Sequence, residues 1–157
     1  LGVVGAQTTD AAIVQKVLLA DEMKLIVPDG HKWAHLSAID WHALTKEPFI
    51  ARESGSGTWQ SICSSMADAG YDPAKLTTCI TMGSSVSVIQ GILNHVGISI
   101  LSTTAVADDL AKGRLFALAV NGLDLDRFFY LTWAKKRTQS PICKKFIAFA
   151  QQHLSNP

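Results

Sequence analysis

No apolar stretch in these 157 residues approaches the roughly 20 needed to cross a bilayer, and no signal-peptide pattern opens the chain. Neither a membrane partner nor export is expected. Charge is not in excess in either sense: 14 Lys and Arg stand against 13 Asp and Glu, a formal net charge of +1. That balance gives no broad attraction to nucleic acid. The densest basic group, Lys135, Lys136 and Arg137, reads as a solvated loop. Cysteine is scarce and odd in number: Cys63, Cys79 and Cys143 contain no C-x-x-C pair and read as reduced, mostly buried thiols of a cytosolic protein. His31 and His35 have metal-compatible spacing, but no Glu or Cys completes a zinc motif around them, so no metal is expected.

What is present is enough apolar residue, 48% against 17% charged, to bury the core of one domain or of two small lobes. "LGVVGA" lacks a methionine and begins directly as a buried strand, with nothing before it to pair with; the chain reads as a fragment of a longer protein. Residues 24–28 form the next expected strand, ended by the turn signal Pro28-Asp29-Gly30. Residues 38–44 read as a short helix and 48–53 as a strand. Trp59, Ile62, Cys63 and Met66 then define one face of a helix that stops at Gly70. The pattern repeats: strand 76–82, a helix with Ile89, Ile92, Leu93 and Val96 on its face, and an uninterrupted buried strand at 96–102. A short helix at 104–112 ends at Gly113, strands follow at 115–120 and 128–134, and a last helix opens with Ser140 and Pro141. That last helix is expected to bury Ile142, Phe146, Phe149 and Ala150. Strand and helix alternating through 48–102 predict a parallel α/β fold.

Two clusters stand where ligands sit in such folds, beyond the carboxyl ends of strands. "ARESGSGTWQ" carries Ser54, Ser56 and Thr58, and "MGSSVSVIQ" carries Gly83, Ser84 and Ser85. A helix start has unpaired N–H groups and partial positive charge, which suits a carboxylate or sulfate. Simple N-capping accounts for the same residues, so both readings stand. Arg52 and Glu53, just ahead of the first cluster, pair, orient a ligand or are exposed strand-end charges. No G-K-[ST] ending, no G-x-S-x-G elbow and no paired carboxylates are present, so nothing here predicts an enzyme.

The ordered series "PFIARESGSGTW", "ITMGSSVSVIQGILNHVGISILS", "LAKGRLFALAV" and "FFYLTWAKKRTQSPICKKFIAFAQQHL" resembles the effector-binding domain of LysR-type transcriptional regulators. "LGVVGA" and "DEMKLIVPDGHKWA", with its P-x-x-H turn, agree. The resemblance implies a two-lobed α/β fold of the type 2 periplasmic-binding-protein kind, joined by two crossover strands. Residues 1–27 and 127–157 would belong to the first lobe and 28–126 to the second, with "KLIVP" and "FYLTW" as the crossings. It implies a small anionic effector in the inter-lobe cleft, acting allosterically on DNA binding. It further implies a homodimer or homotetramer in the cytoplasm, without a cofactor.

Carried over by position, the effector contacts are Ser84, with Gly83 and Ser85 beside it, and Gln7 and Thr8 on the opposite wall. Ser54 and Ser56 lie near the same mouth. The family's winged helix-turn-helix is missing, so DNA contact would come through a segment outside this chain. The opening strand–helix units of the first lobe are missing too, leaving that lobe incomplete. His95 departs from the small or apolar residue usual at its position, as a packing or a specificity difference. The alternatives are a periplasmic-type solute-binding protein of the same fold, an enzyme built on it, and a structural dimerisation module.

Overall fold

The computed structural model describes residues 1–153; residues 154–157, the end of the expected first lobe, lie outside the described residues. The chain divides into two compact units. One joins Leu1–Asp21 to the chain from Asp126 onward, and the other is Glu22–Leu125.

The first unit opens with β1 (Gly2–Val4) and β2 (Ile13–Asp21). Chain order then passes through the second unit: β3 (Met23–Pro28), β4 (Ala38–Asp40), α1 (Trp41–Leu44), β5 (Phe49–Arg52) and α2 (Gly57–Asp68). After these come β6 (Thr78–Met82), α3 (Ser85–Leu93), β7 (Ser99–Ser102), α4 (Ala107–Ala111) and β8 (Leu115–Asn121). The chain returns to the first unit as β9 (Arg127–Ala134) and α5 (Pro141–His153).

In the second unit the sheet order is β4-β8-β3-β7, with β4 parallel to β8 and β3 antiparallel to both β8 and β7. β5 and β6 pair in parallel. They are tied to the approach of β7 by a Phe49–Ile98 bridge, with the Ile50 N–H donating to the Ile98 carbonyl at 2.8 Å. The sheet is therefore mixed rather than parallel throughout. Alternation along its strands feeds two cores. Leu25, Phe49, Ile98 and Ile100 join one that includes Ile62 and Met66 of α2, and Ile26, Ile50 and Leu101 join the other with Val88 and Ile92 of α3. A strand covered on both faces has no polar side to show, which is why "LIVP" reads as an unbroken apolar run.

Residues 24–28 form a strand as expected, with neighbours on both edges in the second unit's sheet. Other expectations change. Residues 38–40 are a strand, and the helix begins only at Trp41. β2 was not expected at all. The face of α3 centres on Val88 and Ile92, both fully buried, while Val96 lies past the helix and is 44% exposed. β1 is exposed along its length because β9 covers only one edge of it.

Ser140 does cap α5, accepting from the Cys143 N–H at 3.4 Å. Yet Ile142, Phe146 and Phe149 face outward at 44% exposure or more. Ala150 is buried as expected, and the helix docks through it and Ile147, a stripe one residue over from Phe146 and Phe149, against Leu18 and Leu131. The thiols are less buried than expected. Cys79 is exposed because β6 has a partner on one side only, and Cys63 and Cys143 are half-buried. Burial still pushes the Cys63 thiol pKa up.

Candidate functional site

The parallel pairing of β5 and β6 decides where the hydroxyl clusters fall. Ala51 lies opposite Thr81 and Arg52 opposite Met82, so the two carboxyl ends are side by side. Each leads directly into a helix, and the starts of α2 and α3 therefore share one edge, the place where open α/β sheets hold ligands.

At the start of α2, Ser56 has extended backbone and its hydroxyl accepts from the Trp59 N–H at 3.3 Å. With only 6% of its surface exposed, it is a buried cap. Ser54 is exposed, and its carbonyl accepts from Gln60 Nε2 at 3.2 Å. At the start of α3, Ser84 caps the Ser87 N–H at 3.1 Å, and the two serine hydroxyls lie 2.8 Å apart. Gly83 is exposed, and a Cβ there would meet nothing within 4 Å, so the space beside it is open.

Ser85 accepts at its hydroxyl from Arg52 Nη1 at 2.7 Å. The rest of that guanidinium is a fork on Glu53, with Nε to Oε2 at 2.8 Å and Nη2 to Oε1 at 2.9 Å. These hydrogen bonds from Arg52 hold the Glu53 carboxyl below its ordinary pKa. The Arg52 side chain is only 13% exposed, against 42% for Glu53. Arg52 is thus no exposed strand-end charge: it fixes a cationic group at the start of α3. The sequence flagged Arg52 but gave no sign of its link to Ser85, 33 positions away.

Gln7 and Thr8 belong to the first unit, where they line a cavity of about 500 Å³ with Thr9, Ile13, Gln15, Val17 and Tyr130. The lining is uncharged. Gln7 Nε2 donates to the Tyr130 hydroxyl at 2.7 Å, and the Thr8 N–H donates to Gln15 Oε1 at 2.8 Å. Across β2 and β9, Gln15 lies opposite Thr132 and Val17 opposite Tyr130, a register that no local pattern reveals.

A second cavity, about 180 Å³, lies in the other unit between Pro28, His31, Glu47, Pro48 and His95. His31 Nε2 is 3.5 Å from Glu47 Oε2, Lys32 pairs with the same carboxylate, and the Trp33 N–H donates to His31 Nδ1 at 3.2 Å. His35 stands edge-on to Phe116 instead, so the two histidines of the metal-compatible spacing have different partners. His95 occupies the left-handed position just past α3, at φ 57°, where glycine is usual.

A regulator of Mycobacterium bovis, called an uncharacterised HTH-type transcriptional regulator, is 34% identical over 78% of this chain and 40% of its own length. The HTH-type transcriptional regulator CbbR of Rhodospirillum rubrum is 30% identical over 95% of this chain and 48% of its own. This chain thus spans less than half the length of these relatives. Among solved structures, the Synechocystis CcmR regulatory domain in complex with 2-PG superposes with a TM-score of 0.85 at 24% identity, covering 98% of this chain and 73% of that one. The effector-binding domain of QuiR in complex with shikimate gives 0.82 at 22%, covering 97% and 70%. These neighbours show the type 2 periplasmic-binding-protein-like fold. The family model described as the LysR substrate binding domain matches residues 1–155, and the chain belongs to that family.

Proposed function

We propose that this chain is the effector-sensing part of a LysR-type transcription regulator, binding a small anionic effector and controlling allosterically the DNA binding of a segment outside these residues. Glu22–Leu125 acts as the second regulatory lobe, and the unit built on β1, β2, β9 and α5 acts as the first. The observation that carries the reading is Arg52, a largely buried cation held on Ser85 where two helix starts share one edge of the sheet. Ser84, Ser85 and Gly83 are the principal contacts in the second unit, with Ser54 at the surface beside them and Ser56 shaping the turn as a buried cap. Gln7 and Thr8 contribute hydrogen bonds in the first unit.

The CcmR and QuiR neighbours, each solved with a small molecule, support effector binding on this fold. An effector shifts the regulator only by its differential affinity for two states, so binding and output are linked. The protein works as a homodimer or homotetramer in the cytoplasm, and no residue has a catalytic role. A solute-binding protein of the same fold is disfavoured because the curated relatives are transcriptional regulators.

The test is a thermal-melt panel with sulfate, phosphate, and small mono- and dicarboxylates on this chain and on Ser84→Ala and Ser85→Ala. Loss of the Ser84 cap lowers stability by about 1 kcal/mol without ligand, so each variant is compared with its own baseline. The expected outcome is a dose-dependent rise in Tm for one class of anion, lost in Ser85→Ala. A flat response to every anion would sink the anionic reading.

A further inference from the structure

We propose that Glu53 is a built-in competitor of the effector: its carboxylate and the effector's anionic group take turns on the Arg52 fork. The inference rests on the effector reading above and adds a residue and a selectivity to it.

Arg52 is fixed on one side, with Nη1 donating to Ser85 Oγ at 2.7 Å, and presents Nε and Nη2 to the Glu53 carboxylate at 2.8 and 2.9 Å. A guanidinium fork matches carboxylates and phosphates alike. The Glu53 carboxylate therefore marks a position that an anionic group fits. Its backbone is pinned, with its N–H donating to the Met82 carbonyl at 3.3 Å and its carbonyl accepting from the Ser56 N–H at 2.9 Å. Only the side chain, 42% exposed, is free to leave for water. On exchange Arg52 gives up two bonds to Glu53 and makes two to the incoming anion, while Glu53 is hydrated. The arginine charge stays paired throughout.

Competition from a tethered carboxylate sets a threshold. Its effective concentration is on the order of millimolar or higher. A simple monocarboxylate offers the fork nothing that Glu53 does not already supply. A doubly charged oxyanion brings a second charge, and a further oxygen for the Ser84 and Ser85 hydroxyls. The site therefore selects dianions such as phosphoryl groups or dicarboxylates, and the Glu53 charge enforces that selection.

The experiment is calorimetric titration of the whole chain with sulfate and with acetate at constant ionic strength. The variants are Glu53→Gln, Arg52→Lys and, as a charge control, Glu22→Gln. Glu22 is 55% exposed and pairs with Lys24 at 3.2 Å, so its loss changes net charge equally without touching the fork. Glu53→Gln is expected to bind sulfate about fivefold tighter, the scale of an exposed ion pair, and to lose part of the discrimination against acetate. Arg52→Lys, which keeps the charge but not the fork, is expected to weaken sulfate about tenfold. The proposal is overturned if Glu53→Gln binds sulfate no more tightly than wild type, or if Glu22→Gln gains as much. Wild-type binding that is lost in Ser85→Ala but unchanged in Glu53→Gln overturns this inference alone. Absence of sulfate binding in both wild type and Glu53→Gln overturns this inference, and the effector reading falls with it only when the whole anion panel is flat as well.

Discussion

His31 has a side chain only 15% exposed beside the Glu47 carboxylate. Burial outweighs the attraction of Glu47 and holds the imidazole below its ordinary pKa, with Lys32 and His95 adding in the same direction. The sign for stability follows from linkage. As pH falls, the unfolded chain takes up the proton first, near about 6.5, so the contribution of neutral His31 is fully present above that value. It is lost as pH falls through the folded-state value. The prediction compares wild type with His31→Gln by urea unfolding at pH 7.5, 6.5 and 5.5. The stability advantage of wild type should shrink with each step down, and an advantage that grew on acidification would reverse the assignment.

At the scale of elements, the seam between β5 and the approach to β7 leaves no room for a side chain at Gly97. A Cβ on Gly97 would sit 2.5 Å from the Pro48 carbonyl oxygen and 3.2 Å from Ile50 Cγ1. That carbonyl accepts from the Ile98 N–H at 2.9 Å, so it cannot retreat without loosening the bridge. Gly97→Ala should cost about 2 kcal/mol, read as a lower urea midpoint at unchanged slope. Gly55→Ala, where a Cβ meets nothing within 4 Å, is the control and should stay within about 0.5 kcal/mol.

The same scale separates what the sequence could disclose from what it could not. α2 and β5 were legible because their apolar spacing is strong and their ends carry turn residues. β2 was not, since Gln15 and Lys16 break the alternation and its partner β9 lies more than 100 positions away. On α5 the apolar stripe Ile142, Phe146, Phe149 was plain, but which stripe a helix buries depends on the sheet it meets, and here Ile147 and Ala150 meet it. The site divides in the same way. Serines and glycines at helix starts announce themselves by type, and the resemblance singled out Ser84 among them. Arg52 on Ser85 depends on the parallel pairing of β5 with β6, which periodicity alone does not specify.

At the scale of the whole molecule the two units are unequally built. The second has two core clusters on either face of one sheet, and β3 runs through it with Leu25, Ile26 and Val27 fully buried. The core cluster of the first consists of Leu18, Leu131 and Ala150, with Leu19, Trp133 and Ile147 against it. Its surface carries Leu1, Val3, Phe128, Ile142 and Phe149 at 40% exposure or more. The buried Asp21–Arg127 pair, 2.8 Å apart, fastens the ends of β2 and β9, but an ion pair out of water adds little net stability against the solvation its charges give up. Local opening free energy follows buried apolar contact, so the first unit should open at lower cost than the second. Native-state hydrogen exchange is the measurement. Amides of β3 should exchange only through the most costly opening of the chain, while those of β2 and β9 exchange earlier. The excised segment 22–125, whose core clusters involve no residue of the first unit, should keep a cooperative melt and the same protection along β3. Equal protection of β2 and β3, with loss of the cooperative melt on excision, would mean that the two units unfold as one body.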